Sequence, residues 1–391
     1  MTRHMATSTS KINISRIATL QTLLNKAGAP GSQVCNHPND LQPVTRINGN
    51  DEVTSKLHPH LYPIAQSLSK PDHYVCALRR AYADDADYVS STNSPWPIVE
   101  AKINGPGYRL LSLNSEHLMR RIAAQVDATD TDTDDDDTDD DTDDDTDDDT
   151  DTDDDDTNTR TNAEDIINTY NQDLGKQSPL VESTFDTIYE PGSVAKLGYG
   201  ASKYILLRVG PFPDLYEEMA FQHSKKNDES SSLIAAEANN GKCSGFASTF
   251  KFYAELLSSF PNREDETRDA AKVCLRMPLP SIGMCTADIV KVSRMARLCK
   301  KDDDTPTALQ SMKAFYEKIK KHEEEDEQGR ASMTREQVAI EAANSILDRM
   351  VFVDDEERDW SSVRKELGEI YASAGLDDMA DFVDPSRLAF E

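Results

Sequence analysis

The sequence predicts an α+β protein, in which a small antiparallel sheet with one helix precedes an all-α C-terminal region. Two observations support this prediction. Short β-branched and aromatic runs separated by turn residues lie between residues 57 and 113, a pattern typical of strands. From Pro213 onward the apolar residues recur at helical spacing, with helix-capping and helix-ending residues between them.

Three segments of the first part have the composition of strands: Tyr74–Leu78, Pro97–Ile103 and Tyr108–Leu113. The last two are joined by Asn104-Gly105-Pro106-Gly107, and such a Gly-rich turn between strands predicts a hairpin. A helix over Glu116–Val126 follows, with Asn114 or Ser115 as its cap.

The C-terminal region has the spacing of tetratricopeptide-like (TPR-like) repeats, in which paired helices approach closely at small residues. Three units match in part, at Ala220–Asn239, Ala254–Cys274 and Leu367–Ala380. We expect Asp214 to cap the first helix, Thr286 to cap a helix over Ala287–Leu298, and Thr334 with Gln337 to form a capping box.

The predicted domain organisation has five parts. They are a tail or transit segment at 1–55, the small α+β domain at 56–126, a disordered Asp/Thr insertion at 127–160, a connecting helix and loop at 161–212, and the helical domain at 213–391. Within the connecting part, Asn162–Gln172 has a helical pattern, Ser178–Gly200 has that of a loop, and Lys203–Val209 is apolar without a clear type.

The formal net charge of −30 comes mostly from residues 130–156, which contain 20 Asp and no Lys or Arg, so the rest carries −10. Such a run repels itself and has nothing to bury, which predicts disorder. It lacks the Gly and the terminal Glu of a calcium-binding loop. No basic stripe suggests a nucleic-acid partner. No apolar run reaches the length of a membrane span.

The six cysteines are scattered, without the spacing of a zinc site, which predicts reduced thiols and no metal or other cofactor. Residues 1–33 are rich in Ser and Thr, contain Arg and Lys, and have no acidic residue. This composition suits an organellar transit segment, and a disordered tail with a short helix is an equal alternative.

No catalytic motif occurs, so we assign no catalytic residue. His58 and His60 flank a proline and are interpreted as part of the entry into the small domain, rather than as metal ligands. His223 is interpreted as an interhelical histidine. Trp96 is expected in the core, with an exposed contact as the alternative.

A cluster of basic residues suggests a modest anion site formed by His117, Arg120, Arg121, Arg79, Arg80 and Arg109. The interpretation we favour is simpler: His117, Arg120 and Arg121 lie on a charged outer face of their helix, because a charged helix face is usually solvated.

The order of several segments resembles a protein family. They are LYPIAQSL from Leu61, PIVEAKINGPGYRLLSLNSEHLMRRI, YILLRVGPFPDLYEEMAFQH, DAAKVCLRMPLPSIG, and the pair EQVAIEAANSILDRM and LGEIYASAGLDDMADFV. Together they resemble a plant and algal plastid (stromal) family with TPR-like helices, for which no activity is established. The resemblance implies a chloroplast stroma location, with a cytoplasmic one otherwise, and transfers no site residues.

The function we predict is that of a non-enzymatic interaction or assembly protein, which binds a protein or peptide on its TPR-like helices. Glu217, Lys225 and Tyr253 are the candidate partner-binding residues. One alternative is an enzyme with a site between the two domains, using Arg79, Glu100, Arg109 and His117. A weaker alternative is that the Asp run masks a basic partner.

Overall fold

The computed structural model describes residues 19–24, 41–43, 52–67, 70–81, 96–129, 164–172, 188–198, 200–325 and 332–390. The predictions for residues 130–160 of the Asp/Thr run, for Cys35 and for most of the N-terminal tail lie outside the described residues. Residues 127–129, which the sequence placed in the disordered run, are helical instead. Contacts divide the chain into two compact units. The first unit comprises Met1–Ser10, Val44–Asn114 and Pro211–Glu391, and the second comprises Lys11–Pro43 and Ser115–Gly210.

This division differs from the predicted domain limits. Residues 44–114 share their contacts with the region beyond residue 210, so the sheet and the C-terminal helices belong to one unit. The independent folding of residues 213–391 stays a prediction.

The sheet of the first unit has four strands that pair antiparallel in chain order. They are β1 (Leu61–Ser67), β2 (His73–Leu78), β3 (Ile98–Lys102) and β4 (Tyr108–Ser112). Leu61 lies opposite Leu78, Ala77 opposite Ile98, and Ala101 opposite Tyr108. In β2 every residue from Tyr74 to Leu78 is buried, because both faces of the strand are covered.

The predicted hairpin is confirmed, and its turn shows why it contains glycine. Asn104 has a φ of 54°, a left-handed conformation that asparagine tolerates better than most residues. Gly107 is held so closely against Pro280 that a Cβ atom built on it would lie 1.8 Å from the Pro280 carbonyl oxygen. The hairpin end therefore packs directly on the backbone of the helical region.

The C-terminal region of the first unit is helical throughout, which confirms the predicted α+β class. A short helix, α1 (Glu52–Lys56), precedes the sheet. Beyond it the helices are α5 (Pro213–Lys225), α6 (Glu229–Lys242), α7 (Ala247–Ser258), α8 (Glu264–Cys274), α9 (Thr286–Met295), α10 (Thr305–Glu325), α11 (Arg335–Met350), α12 (Trp360–Ser373) and α13 (Asp377–Val383). Two 3-10 turns, Leu279–Ser281 and Pro385–Phe390, complete the region.

Three clusters of buried apolar residues hold these helices together. Helices α5, α6 and α7 meet around Ala220, Ala236 and Leu256. Helices α7 to α10 share a larger cluster, in which Ala254 and Ala271 allow close approach. Helices α11, α12 and α13 pack around fully buried side chains, of which Trp360 is the largest.

The second unit contains α2 (Ser115–Thr129), α3 (Ser193–Leu197), α4 (Ala201–Arg208), a helical segment at 164–172 and a short strand, Leu41–Pro43. The helix predicted from Glu116 is thus confirmed, three residues longer at its C-terminal end. Lys203–Val209, whose type the sequence left open, lies almost entirely in α4. Part of the predicted loop at 178–200 is helical, since α3 lies there.

Two predicted helix starts are wrong, the first by two residues and the second by one. Helix α5 begins at Pro213 with Phe212 as its cap, so Asp214 lies in the first turn, where a carboxylate favours the helix dipole. Helix α9 is capped by Cys285 rather than Thr286, and Asp288 completes its capping box. The capping box of Thr334 and Gln337 on α11 is confirmed.

Candidate functional site

A cavity of about 630 Å³ opens in the first unit. Its walls come from three places: the chain around β1, β2 and β4, the 3-10 turn Leu279–Ser281, and helices α10 and α11. Helix α11 supplies the largest share of the lining, with Gln337, Ile340, Glu341, Asn344, Leu347 and Asp348. This volume lies within the range of about 300–1,000 Å³ typical of ligand-binding pockets.

The α11 wall combines polar and apolar positions at helical spacing. Gln337, Glu341, Asn344 and Asp348 follow one another at intervals of four, three and four residues, so they share one face of the helix. Ile340 and Leu347 lie beside them. A ligand on this face would therefore meet amides, carboxylates and aliphatic side chains within a few helical turns.

Asp348 is a buried carboxylate that the protein already satisfies. Its oxygens accept hydrogen bonds from the Leu279 backbone N–H at 2.8 Å and from the Tyr316 hydroxyl at 3.0 Å. Burial, and next the negative charge of Asp348, raise the pKa of Tyr316. Asp348 therefore fixes α11 against α10 and the 3-10 turn, and its role is structural.

Two cationic side chains line the cavity from other elements. Arg80 follows β2, donates to the Gly245 carbonyl oxygen at 3.0 Å and has its guanidinium carbon 4.1 Å from the Phe246 ring centroid. Lys320 lies on α10, with its ammonium 5.7 Å from the Tyr316 ring centroid. Such contacts with aromatic faces orient the charged group of each side chain.

His58 and His60 also line the cavity, and both are buried. Burial, and next the charge of Arg364, lower the pKa of His60 to about 3, and burial also holds the pKa of His58 well below its usual range. Both imidazoles are thus neutral near pH 7. A base of such low pKa is poorly matched to proton transfer at neutral pH, so this wall suits binding better than acid–base chemistry.

The position of the proton on His58 follows from its contacts. Its Nδ1 accepts from the His60 backbone N–H at 3.3 Å, so in the neutral ring Nε2 carries the proton. That Nε2 is buried and has no hydrogen-bond partner within the described part of the chain. The ring packs edge-on against Tyr108 and Trp360, at centroid distances of 5.3 and 5.2 Å.

From the sequence we interpreted His58 and His60 as part of the entry into the small domain. The structure shows that His60 also contacts a distant helix. His60 Nε2 shares a 2.9 Å hydrogen bond with the Tyr371 hydroxyl on α12. No group of three potential metal ligands occurs among the described residues. The contact between His60 and Tyr371 could not be predicted from the sequence around the histidines, because the two residues are about 300 positions apart.

The three predicted partner-binding residues lie in different environments. Glu217 is half-buried and pairs with Arg109 at 3.4 Å, and burial raises its pKa. Lys225 is exposed at the end of α5. The Tyr253 hydroxyl donates to Glu237 at 3.0 Å. None of the three lines the cavity, and their role in binding stays a prediction.

The expected charged outer face of α2 is wrong. His117, Arg120 and Arg121 are buried, at 8%, 8% and 2% exposure. Arg120 donates to the Tyr170 hydroxyl at 3.5 Å and lies 5.7 Å from the Tyr189 ring centroid. The helix is covered on more than its apolar side by the rest of the second unit, which periodicity alone did not indicate.

The other basic residues of the predicted anion cluster have separate contacts in the first unit. Arg79 donates to the Asp378 carbonyl oxygen and packs on Trp96 and Phe382. Arg109 pairs with Glu217. Trp96 was expected in the core, but it is half-buried and packs against the Arg79 guanidinium. His223 is half-exposed and lies 3.3 Å from Asp228.

Comparison with known proteins gives two matches to family models, both in the helical region. Residues 213–299 match the family model described as the PAB middle domain, and residues 312–386 match the PAB C-terminal domain. The wall formed by α11 lies inside the second match. Neither model is a tetratricopeptide model, so the TPR-like character of the helices stays a prediction.

A curated relative is Protein IN CHLOROPLAST ATPASE BIOGENESIS, chloroplastic, from Arabidopsis thaliana. It is 27% identical over 203 residues, which cover 51% of this chain and 56% of the relative. The chain thus spans little more than half of that protein's length. The chloroplast in the name of this relative supports the plastid family that the sequence resembles. No solved structure matches the chain.

Proposed function

We propose that this chain is a plastid protein that assists the biogenesis of the chloroplast ATPase, by binding a protein of that complex without catalysing a reaction. The observation that carries the proposal is the similarity to the Arabidopsis relative over 203 residues, together with the two PAB domain matches. The chloroplast stroma is the compartment that this function requires.

The structure supports a binding role. The first unit offers a cavity with amide, charged and apolar walls, and its two histidines are held neutral by burial. Among the described helices none is long and apolar enough to cross a membrane. The exposed residues Phe221 and Ile234, on α5 and α6, add apolar surface in the region where the sequence predicted partner binding.

Complementation tests the proposal. Full-length protein, preceded by an established chloroplast transit peptide, is expressed in Arabidopsis plants that lack the relative. We expect the amount of assembled chloroplast ATPase, measured on native gels, to rise, and ATPase subunits to co-purify with the tagged chain. Protein that is imported and folded, yet neither raises the ATPase level nor retains a subunit, would contradict the proposal.

A further inference from the structure

We propose that this chain associates with a second copy of itself through α5, with the two helices antiparallel and Phe221 at the centre of the contact. Such self-association goes beyond the proposed function, because it concerns how copies of the chain meet and not which client they bind. Nothing in the similarity to known proteins assigns a role to this face of α5.

One face of α5 carries four residues spaced as in the seam of a coiled coil. They are Asp214, Glu218, Phe221 and Lys225, at intervals of four, three and four residues. Phe221 is 52% exposed, although large apolar side chains are usually covered in the folded protein. A second helix laid along this face would cover it.

The exposed ring of Phe221 is already held in place. It packs edge-on against Phe252 of α7, with the ring centroids 5.3 Å apart. An aromatic side chain brings a large apolar area to a contact, and one that is fixed beforehand loses little freedom when a second molecule covers it. Phe221 therefore has the properties of an anchor residue in an interface.

The charges along α5 favour an antiparallel partner with the same sequence. The first half of the helix is acidic, with Asp214, Glu217 and Glu218, whereas Lys225 and Lys226 follow at its end. Two antiparallel copies bring each acidic half beside a basic end, and their helix dipoles also oppose one another favourably. Two parallel copies would instead place like charges together.

The spacing of two charged residues around Phe221 gives the register. Glu218 and Lys225 lie equally far from the point between residues 221 and 222, so a two-fold axis there places Glu218 of each copy opposite Lys225 of the other. Within the described part of the chain, Glu218 accepts from the Gln222 amide at 3.2 Å and has no cationic partner. Lys225 is exposed and has no carboxylate partner there. A second copy supplies both missing partners.

The charged residues beside this face are already paired within the chain. Glu217 pairs with Arg109 at 3.4 Å, and Glu255 on α7 pairs with Lys291 on α9 at 2.9 Å. These pairs join neighbouring elements of the first unit and do not need a second molecule. The two charges that flank Phe221 are thus the ones that a second copy can neutralise.

The size of the contact indicates a weak dimer. Two helices bury less than the roughly 800 Å² per partner of a standard stable interface. The net charge of −30 also makes two copies repel, although this repulsion is screened beyond about 8 Å at roughly 0.15 M ionic strength. At that ionic strength we expect a dissociation constant of about 10–100 µM.

Sedimentation equilibrium of the purified full-length chain tests the proposal, over about 1–500 µM protein so that the expected constant is bracketed. The average mass should rise with concentration toward that of a dimer. Lys225→Glu and Glu218→Lys should each weaken association about tenfold, because each puts like charges together in both pairs. Lys313→Glu makes the same charge change at an exposed position of α10 and should have no effect.

A mixture of the two variants is the sharper test. The Glu218→Lys chain carries a base at both positions, and the Lys225→Glu chain carries an acid at both. Each variant alone should remain monomeric near the wild-type dissociation constant, whereas the equimolar mixture should associate about as well as the wild type, because both pairs again join opposite charges. Circular dichroism and thermal unfolding show that each variant is folded.

Three results would overturn the proposal: a wild-type chain that is monomeric at every concentration, a dimer that neither charge change weakens, or variants that do not associate when mixed. A monomeric chain whose retention of ATPase subunits requires Phe221 and Lys225 would give this face to a client, and the proposed function would then stand alone. A dimer that behaves as expected but retains no ATPase subunit would support self-association and contradict the proposed function.

Discussion

Arg364 on α12 donates a hydrogen bond to the carbonyl oxygen of His58, at 3.3 Å and 306 residues away in sequence. The same guanidinium donates to the carbonyl oxygens of Leu57, Pro59 and Val383. One buried side chain thus holds the segment that carries both cavity histidines against the last helices. The wall of the cavity depends on this clamp.

Arg364→Ala should destabilise the protein strongly. The change leaves four carbonyl oxygens without this donor in a site that is 6% exposed, and we expect a loss of about 3 kcal/mol in the free energy of unfolding. Urea unfolding measures it. Arg349→Ala, at an exposed position of α11, is the matched control and should change stability little. Equal losses of unfolding free energy in the two variants would contradict the role of Arg364 in holding residues 57–59.

Stability should fall as the pH is lowered through the ordinary range of histidine. The pKa of His60 is about 3 in the folded protein and 6.5 when unperturbed, so between these values the unfolded chain binds more protons. The stability from neutral His60 is complete above pH 6.5 and is lost toward pH 3. Each such histidine contributes a slope of at most about 1.4 kcal/mol per pH unit.

Urea unfolding of wild type and His60→Gln protein between pH 7.5 and 5.0 tests this expectation. The amide cannot titrate there, so the variant should show a shallower decline of the free energy of unfolding, although it is less stable at neutral pH. His322→Gln, which changes an exposed histidine, should keep the wild-type slope. An unchanged slope in His60→Gln protein would show that His60 is protonated when folded.

Gly107→Ala should be among the most damaging changes in the sheet. The alanine Cβ would overlap the Pro280 carbonyl oxygen. This oxygen belongs to the backbone, so it cannot move away as the end of a flexible side chain could. We expect a loss of about 3 kcal/mol or more, because overpacked sites relax poorly. Gly241→Ala in α6 is the control, since nothing lies within 4 Å of its Cβ and alanine favours a helix. Thermal unfolding should show a lower Tm for Gly107→Ala protein, and an unchanged or higher Tm for Gly241→Ala protein.

Asp127 organises the second unit, and its loss should weaken it. Its carboxylate accepts from the Tyr189 hydroxyl at 2.9 Å and from the backbone N–H groups of Gly192 and Val194, at the start of α3. We expect Asp127→Ala to cost about 2 kcal/mol, as for a lost helix cap with a buried donor left behind.

Tyr189→Phe distinguishes the contribution of the Tyr189 hydroxyl from that of the backbone N–H groups that Asp127 also accepts from. It removes one of the three donors to the Asp127 carboxylate, so it should cost less than Asp127→Ala, and the double variant should cost less than the sum. Hydrogen exchange of the α3 amides reports on the unit directly. Additive effects would show that the two groups act independently.

The predicted partner-binding residues should behave differently from one another. Glu217→Ala removes one partner of the half-buried Arg109, and we expect it to lower the free energy of unfolding by about 1 kcal/mol. Lys225→Ala should leave stability unchanged, because Lys225 is exposed. If α5 and α7 bind the client, Lys225→Ala and Tyr253→Ala will reduce co-purification of ATPase subunits. Undiminished co-purification with both would remove these residues from the interface.

Local sequence signals predicted local structure well. Asn104-Gly105-Pro106-Gly107 predicted the hairpin because its turn needs residues that tolerate unusual backbone angles, and Asn104 adopts one. Thr334 and Gln337 predicted the start of α11 because a capping box is formed within four residues. Where the signal was weaker, as at Asp214 and Thr286, the helix was predicted but its start was wrong by two residues and by one residue, respectively.

The cavity could not be predicted in the same way. Asn344 and Gln337 are ordinary helix residues in sequence, and only the packing of α11 near His58 and Arg80 makes them line a common space. The buried face of His117, Arg120 and Arg121 was missed for a related reason. Periodicity identifies the apolar face of a helix, but it does not show how many other elements cover the helix.

By itself, the sequence determined the α+β class, most of the strands and helices, and the charge of the Asp/Thr run, because these depend on residues close together in the chain. The tertiary structure alone decided which distant residues meet. It joined Arg364 to His58, Gly107 to Pro280, and α11 to the histidines. Those contacts arise when buried polar groups must find partners across hundreds of residues, a requirement that local spacing does not record.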